Sequence, residues 1–168
     1  MPHARTLAAI ALLAGAVATA AAAQDGAVMA NLKDGDGEAV GTARFQPTRA
    51  GILVVVELEN MSPGEHGIHI HETAECAGDF ETAGEHLAPD GHEHGFAAVE
   101  APHAGDLPNI VVAADGTASA HFVNWRLTME DLMDDDGSAL IVHETRDTYM
   151  DPDSAGARIA CGTVDQLS

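Results

Sequence analysis

Apolar and polar residues alternate along much of this chain with a period of two. Ile52, Val54, Val56 and Leu58 fall on one side of an extended segment, with Glu57 and Glu59 on the other. Successive side chains of a strand point to opposite faces, so the alternation predicts a half-buried β-strand. Ala118, Ala120 and Phe122 alternate in the same way with Thr117, Ser119 and His121. Shorter patterns predict strands over residues 27–33, 39–45, 67–72, 109–113, 139–144 and 158–164. Asp34-Gly35-Asp36-Gly37 and Asp115-Gly116 are strong turn signals between such runs. No helix-length amphipathic pattern competes. Residues 128–133 predict a single helical turn, with Thr128 as its cap and Asp131 three residues later. Many short strands joined by Gly-rich turns predict an all-β fold, an antiparallel Greek-key sandwich or barrel of about eight strands.

Two stretches resist strand assignment, residues 73–108 and 145–157. Loops this long in a compact domain usually carry function or are disordered. The first contains His86, His92, His94 and His103, and the second directly follows His143. Function is the expectation for both.

The N-terminal pattern is different. A single firm positive charge, Arg5, precedes an apolar run from Leu7 to Ala18, and Ala21-Ala22-Ala23 offers a small-residue cleavage site. This is the form of a secretory signal peptide over residues 1–23, too short to span a membrane. A buried N-terminal helix is the competing reading. Residues 24–168 then form one domain. Export changes how the two cysteines, Cys76 and Cys161, are read: in an oxidising compartment a lone pair is most simply one disulfide, with two buried thiols as the alternative. The formal charge of −20, from seven Lys and Arg against 27 Asp and Glu, argues against nucleic acid and anionic membranes as partners.

The histidines carry the chemistry. Six fall between His66 and His94, and His103 and His143 lie beyond. His69 and His71 are two apart in a predicted strand, so both imidazoles face one side. His143 ends the run Leu140-Ile141-Val142 and could bring a third imidazole. Imidazole nitrogens in a tetragonal arrangement suit Cu(II). His86, His94, His103 and Asp106 form a second group on the long loop. Three imidazoles and a carboxylate make the closed tetrahedral shell of structural zinc.

At this point the chain resembles the copper/zinc superoxide dismutases, and more closely their bacterial exported branch. The matching segments are residues 63–72 around His69-Ile70-His71, Ala83-Gly84-Glu85-His86-Leu87-Ala88-Pro89 and His94-Gly95. They continue through His103-Ala104-Gly105-Asp106-Leu107-Pro108, Leu140-Ile141-Val142-His143-Glu144 and Ala157-Arg158-Ile159-Ala160-Cys161-Gly162. They occur in family order and cover almost all of the chain after residue 23.

The resemblance implies a periplasmic or secreted oxidoreductase, a monomer or homodimer, that disproportionates superoxide with copper and zinc. Copper would be held by His69, His71, His86 and His143, and zinc by His86, His94, His103 and Asp106, with His86 shared. Asp147 would link a copper-side to a zinc-side ring, and Arg158 would receive the anionic substrate. His86 would move a proton, the Cys76–Cys161 disulfide would anchor the long loop, and His66 would bond backbone rather than metal. His92 rivals His94, and the family spacing with Gly95 favours His94. The loop after His143 departs from the family. Where relatives often place lysines, it carries Arg146 with Asp147, Asp151 and Asp153. Weak long-range attraction of substrate is the expectation.

Overall fold

A computed structural model describes residues 26–167. The segment read as a signal peptide lies outside the described residues. Among the described residues nine strands form: β1 (Val28–Asp34), β2 (Ala39–Thr48), β3 (Gly51–Leu58), β4 (Gly64–His66), β5 (Ile68–His71), β6 (Ile110–Val112), β7 (Ala118–Asn124), β8 (Ala139–His143) and β9 (Arg158–Gln166). Seven make one antiparallel sheet in the order β5-β8-β9-β1-β2-β3-β7, and β4 pairs with β6. The all-β antiparallel expectation holds. A single helical turn, α1 (Met129–Leu132), carries the predicted capping box between Thr128 and Asp131.

One predicted strand is reshaped. Residues 67–72 were expected as a continuous strand, but pairing starts at Gly64 and changes partner at Gly67. Before it, β4 pairs with β6; after it, β5 pairs with β8. The amide of Gly67 donates to the carbonyl of Thr145, and the amide of His143 donates to the carbonyl of Gly67, so the backbone stays paired through the switch.

The period-two pattern places the core. β3 buries Ile52, Val54, Val56 and Leu58. In β5 and β8 every residue is buried, because both faces are covered. Ile68, Ile70, Leu140 and Val142 join the main core. On the opposite face Ala139 and Ile141 pack in a smaller cluster with Phe80, Ala83 and Cys161. His69, His71 and His143 share that second face, so the hydrophobic alternation that fills the core also aims the imidazoles. Truncating a core residue such as Ile70 to Ala costs roughly 2–5 kcal/mol in comparable cores.

The two long loops are fastened to this second face. A disulfide joins Cys76 to Cys161 across 85 residues, which stabilises by about 4–5 kcal/mol in the chain-entropy view. The long loop is also laced to β5: Leu87 donates to Ile70, Gly105 donates to Leu87, and Ile70 donates to Gly105, each at 2.8 Å. Gly105 is required here, since a Cβ would sit 2.2 Å from the Ile70 carbonyl oxygen.

Candidate metal centre

The lacing of Leu87 and Gly105 to Ile70 explains where the loop-borne side chains arrive. Their neighbours His86 and Asp106 form isolated bridges with His71 and His69. The second loop is set by a bulge. Val142 pairs with Ala160 but His143 pairs with Arg158, leaving Ile159 as the extra residue. The bulge stands Arg158 beside His143. His69, His71, His86 and His143 offer ligand atoms that all lie within 4.8 Å of one another, and each is buried.

Hydrogen bonds select which nitrogen each ring presents. His69 Nε2 donates to Asp147 Oδ2 at 2.9 Å, His71 Nδ1 to the Gly84 carbonyl at 2.9 Å, and His143 Nδ1 to the Gly156 carbonyl at 3.1 Å. A neutral ring with one N–H donated keeps a lone pair on the other nitrogen. Those other atoms, His69 Nδ1, His71 Nε2 and His143 Nε2, are buried with no hydrogen-bond partner. Three orphaned lone pairs converging in one buried place fit a metal of imidazole preference.

Burial pushes His69 down to about 4, against the hydrogen bond it donates to Asp147. It pushes His71 to about 2 and His143 to about 3, with neighbouring rings and Arg158 adding to the effect. Without metal these rings stay neutral well below pH 6.5, the form that binds a metal ion.

The second set centres on Asp106. Its Oδ1 lies 3.1 Å from His86 Nδ1, 3.0 Å from His94 Nδ1 and 3.4 Å from His103 Nδ1. His86 and His94 use the two lone pairs of that oxygen, and the buried Nδ1 of His103 is left without a hydrogen-bond partner. A tetrahedral zinc shell with ligands at about 2.0–2.1 Å has edges of about 3.3 Å, so these spacings fit four ligands around an ion. Asp106 Oδ2 is held by the amides of Gly95 at 2.7 Å and His103 at 3.2 Å. Burial acts against the Asp106 carboxylate, but the ring nitrogens of His103, His86 and His94 hold it far below the usual range. Distance alone would also group His69 with His86, His94 and Asp106. The ring of His69 donates to Asp147, whereas His103 Nδ1 lies 3.4 Å from Asp106 Oδ1.

Asp147 joins the two sets, accepting from His69 Nε2 at Oδ2 and lying 3.1–3.2 Å from His94 Nε2. The Tyr149 amide and the Ser154 hydroxyl donate to its Oδ1 at 2.7 and 3.1 Å. Burial disfavours its charge, yet the hydrogen bonds of His69, the Tyr149 amide and His94 hold it low. The ring of His94 is raised: burial opposes its charge, but Asp106 and Asp147 together outweigh burial.

The other expectations are met unevenly. His92 takes no part in either set; its Nδ1 faces Glu100 at 3.4 Å. His66 contacts the carbonyls of His143 and Ser62. His121 is exposed and faces Glu57. Arg158 donates from Nη1 to the Phe80 carbonyl at 2.8 Å and from Nη2 to the Gly84 carbonyl at 2.9 Å. Phe80 reaches it through a left-handed turn in which Gly78, Asp79 and Phe80 all have φ between 55° and 66°. For the two non-glycines that conformation costs roughly 1–2 kcal/mol each, offset by burial of Phe80 and by the bond to Arg158. These carbonyl partners have no side-chain signature, and Gly78 is the only residue that hints at the turn.

A cleft of about 380 Å³ leads to this centre, lined by His71, His86, His143, Arg158, Glu81, Glu85 and Asp153 among others. A hollow of about 540 Å³ beside the disulfide contains no imidazole.

Residues 39–164 match the family model described as copper/zinc superoxide dismutase. The chain is 36% identical over 143 residues to a superoxide dismutase [Cu-Zn] of Caulobacter vibrioides, covering 79% of this chain and 82% of that one. The crystal structure of a SOD-like protein from Bacillus subtilis superposes with a TM-score of 0.76 at 34% identity, covering 80% of this chain and 96% of that one. The Cu/Zn superoxide dismutase from Brucella abortus gives 0.73 at 29% identity, covering 83% and 99%.

Proposed function

The chain belongs to the copper/zinc superoxide dismutase family, and we propose that His69, His71, His86 and His143 hold its copper and His86, His94, His103 and Asp106 its zinc. Its activity converts two superoxide anions and two protons into dioxygen and hydrogen peroxide. Copper supplies the one-electron chemistry, alternating between Cu(II) and Cu(I), while zinc is structural.

The chain's own residues do the rest. Arg158 binds the anion at the mouth of the cleft. His86 turns Nδ1 to the Asp106 set and so has Nε2 for the copper set. His86 would hold a proton at that Nε2 and deliver it to the peroxide product. Asp147 keeps His69 and His94 in their working orientation. The observation that carries the reading is the convergence of three orphaned imidazole lone pairs beside a carboxylate that three further ring nitrogens share.

Residues 1–23 act in this reading as a signal peptide, and the domain of residues 24–168 works in the periplasm or outside the cell. The Cys76–Cys161 disulfide supports an oxidising compartment.

Metal analysis and a superoxide-consumption assay on the wild type and His143→Ala test this reading. One copper and one zinc per chain, with activity lost in the variant, are expected. A wild type carrying both metals but not consuming superoxide would make the protein a metal-holding one instead.

A further inference from the structure

The turn that holds Arg158 also opposes it. Phe80 and Gly84, whose carbonyls grip the guanidinium, flank the 3₁₀ turn Glu81–Ala83. Glu81 projects from that turn with its Oε2 3.9 Å from Arg158 Nη2. The side chain of Glu81 is 74% exposed, that of Arg158 only 14%. Thus the guanidinium is fixed in the cleft wall while the carboxylate stands over it on the solvent side. Glu85 and Asp153 lie on the same rim, so an incoming anion meets three carboxylates before one guanidinium.

An ion pair at this distance whose carboxylate is largely exposed contributes little to stability. Its charge acts on whatever anion approaches Arg158. We propose that Glu81 is a specificity-determining residue: it weakens anion binding at Arg158 in proportion to the anion's charge, admitting a monoanion such as superoxide and rejecting dianions such as hydrogen phosphate. This rests on the reading of Arg158 as the group that receives superoxide. One charge at roughly 6 Å in water-like dielectric changes the binding of a monoanion about threefold and of a dianion about tenfold. The effect shrinks as added salt shortens the screening length.

The test compares Glu81→Gln with Glu59→Gln in the copper- and zinc-loaded enzyme. Glu59 is an exposed carboxylate just past β3, outside the cleft, so its variant makes the same change in net charge. Three quantities are read: kcat/KM for superoxide against ionic strength, azide affinity by visible titration, and inhibition by phosphate at low salt. Glu81→Gln should raise kcat/KM and azide affinity about threefold and phosphate affinity about tenfold, and should make the rate fall more steeply with salt. Glu59→Gln should leave all three near wild type. Unchanged azide and phosphate affinities in Glu81→Gln overturn the proposal, as do equal shifts in both variants. So does a lower kcat/KM at full metal content, which would make Glu81 a residue that positions the arginine. Arg158→Gln separates the two levels. If it leaves kcat/KM and azide affinity unchanged, the reading of Arg158 itself fails. If it lowers both while Glu81→Gln is silent, only the role of Glu81 fails.

Discussion

The two halves of the metal centre are built on opposite principles. His69, His71 and His143 stand on strands whose other face fills the core. Their positions are set by the sheet ladder, and their donor atoms by Asp147 and two backbone carbonyls. His86, His94, His103 and Asp106 stand on a loop tied to β5 only by isolated bridges, and they converge on one another through a single carboxylate oxygen. The first half is preorganised by the fold. The second depends on the ion to justify crowding three ring nitrogens on one oxygen. In the proposed ligand assignment, redox chemistry falls to the strand-borne half and the structural ion to the loop-borne one. That division is sensible, because a closed zinc shell contributes folding free energy directly.

Removing the hub should separate the halves most strongly. Asp106→Ala deletes the oxygen shared by three rings and the acceptor for the Gly95 and His103 amides. Apparent zinc binding in small domains is worth roughly 10–16 kcal/mol, so losing even part of it is large on the scale of a folded domain. The variant should lose zinc, and amide exchange across residues 85–106 should accelerate at least a hundredfold. Amides of β5 and β8 should keep their protection. Equal acceleration in those strands would show that the halves are one cooperative unit.

Acid should act next, through the strand-borne half of the metal-free protein. His69, His71 and His143 are held neutral by burial, at about 4, 2 and 3, against 6.5 when unfolded. Below pH 6.5 the unfolded chain takes up protons that the folded one refuses. Stability therefore falls as pH drops, by up to roughly 1.4 kcal/mol per ring for each pH unit until the folded values are reached. His94 runs the other way: its raised value contributes stability that is present below 6.5 and lost as pH rises through the folded value. Below pH 6.5 the His94 contribution is already in place and nearly constant, so the three strand rings set the slope, and the unfolding free energy of metal-free protein from urea titrations should fall by several kcal/mol between pH 6.5 and 4. A flat profile over that window would contradict the neutral, buried state of the strand histidines.

The same contrast explains what could be read from the sequence. His69 and His71 were legible because strand periodicity fixes their common face, and His143 because it ends an apolar run. The Thr128–Asp131 capping box was legible for the same local reason. Residue types alone nominated the loop-borne set, but local pattern could not choose between His92 and His94. That choice depends on Asp106 arriving beside residue 94 by way of the Ile70–Leu87–Gly105 lacing. The partner switch at Gly67 was hidden because Pro63-Gly64 reads as a breaker, and pairing with β6 is a long-range event. The bulge that stands Arg158 beside His143, and the carbonyls of Phe80, Gly84 and Gly156, are backbone features without side-chain signatures.

Asp147→Asn gives the smallest change and the sharpest comparison, because Asp147 touches both halves. Its Oδ1 accepts from the Tyr149 amide and the Ser154 hydroxyl, with His94 also near. An asparagine oxygen is therefore held at the Oδ1 position, and the amide NH2 falls where Oδ2 faces His69 Nε2. Donor then meets donor. His69 must either lose its partner or move its proton to Nδ1, the atom the copper set needs bare. His94 keeps an acceptor at Oδ1. Copper affinity should fall about 10–100-fold, the usual cost of losing such a supporting contact, while zinc affinity falls less. Competition titrations with each metal measure both. If zinc weakens as much as copper, Asp147 is a rigid strut between the halves, and the independence of the strand-borne set does not extend to its outer hydrogen bonds.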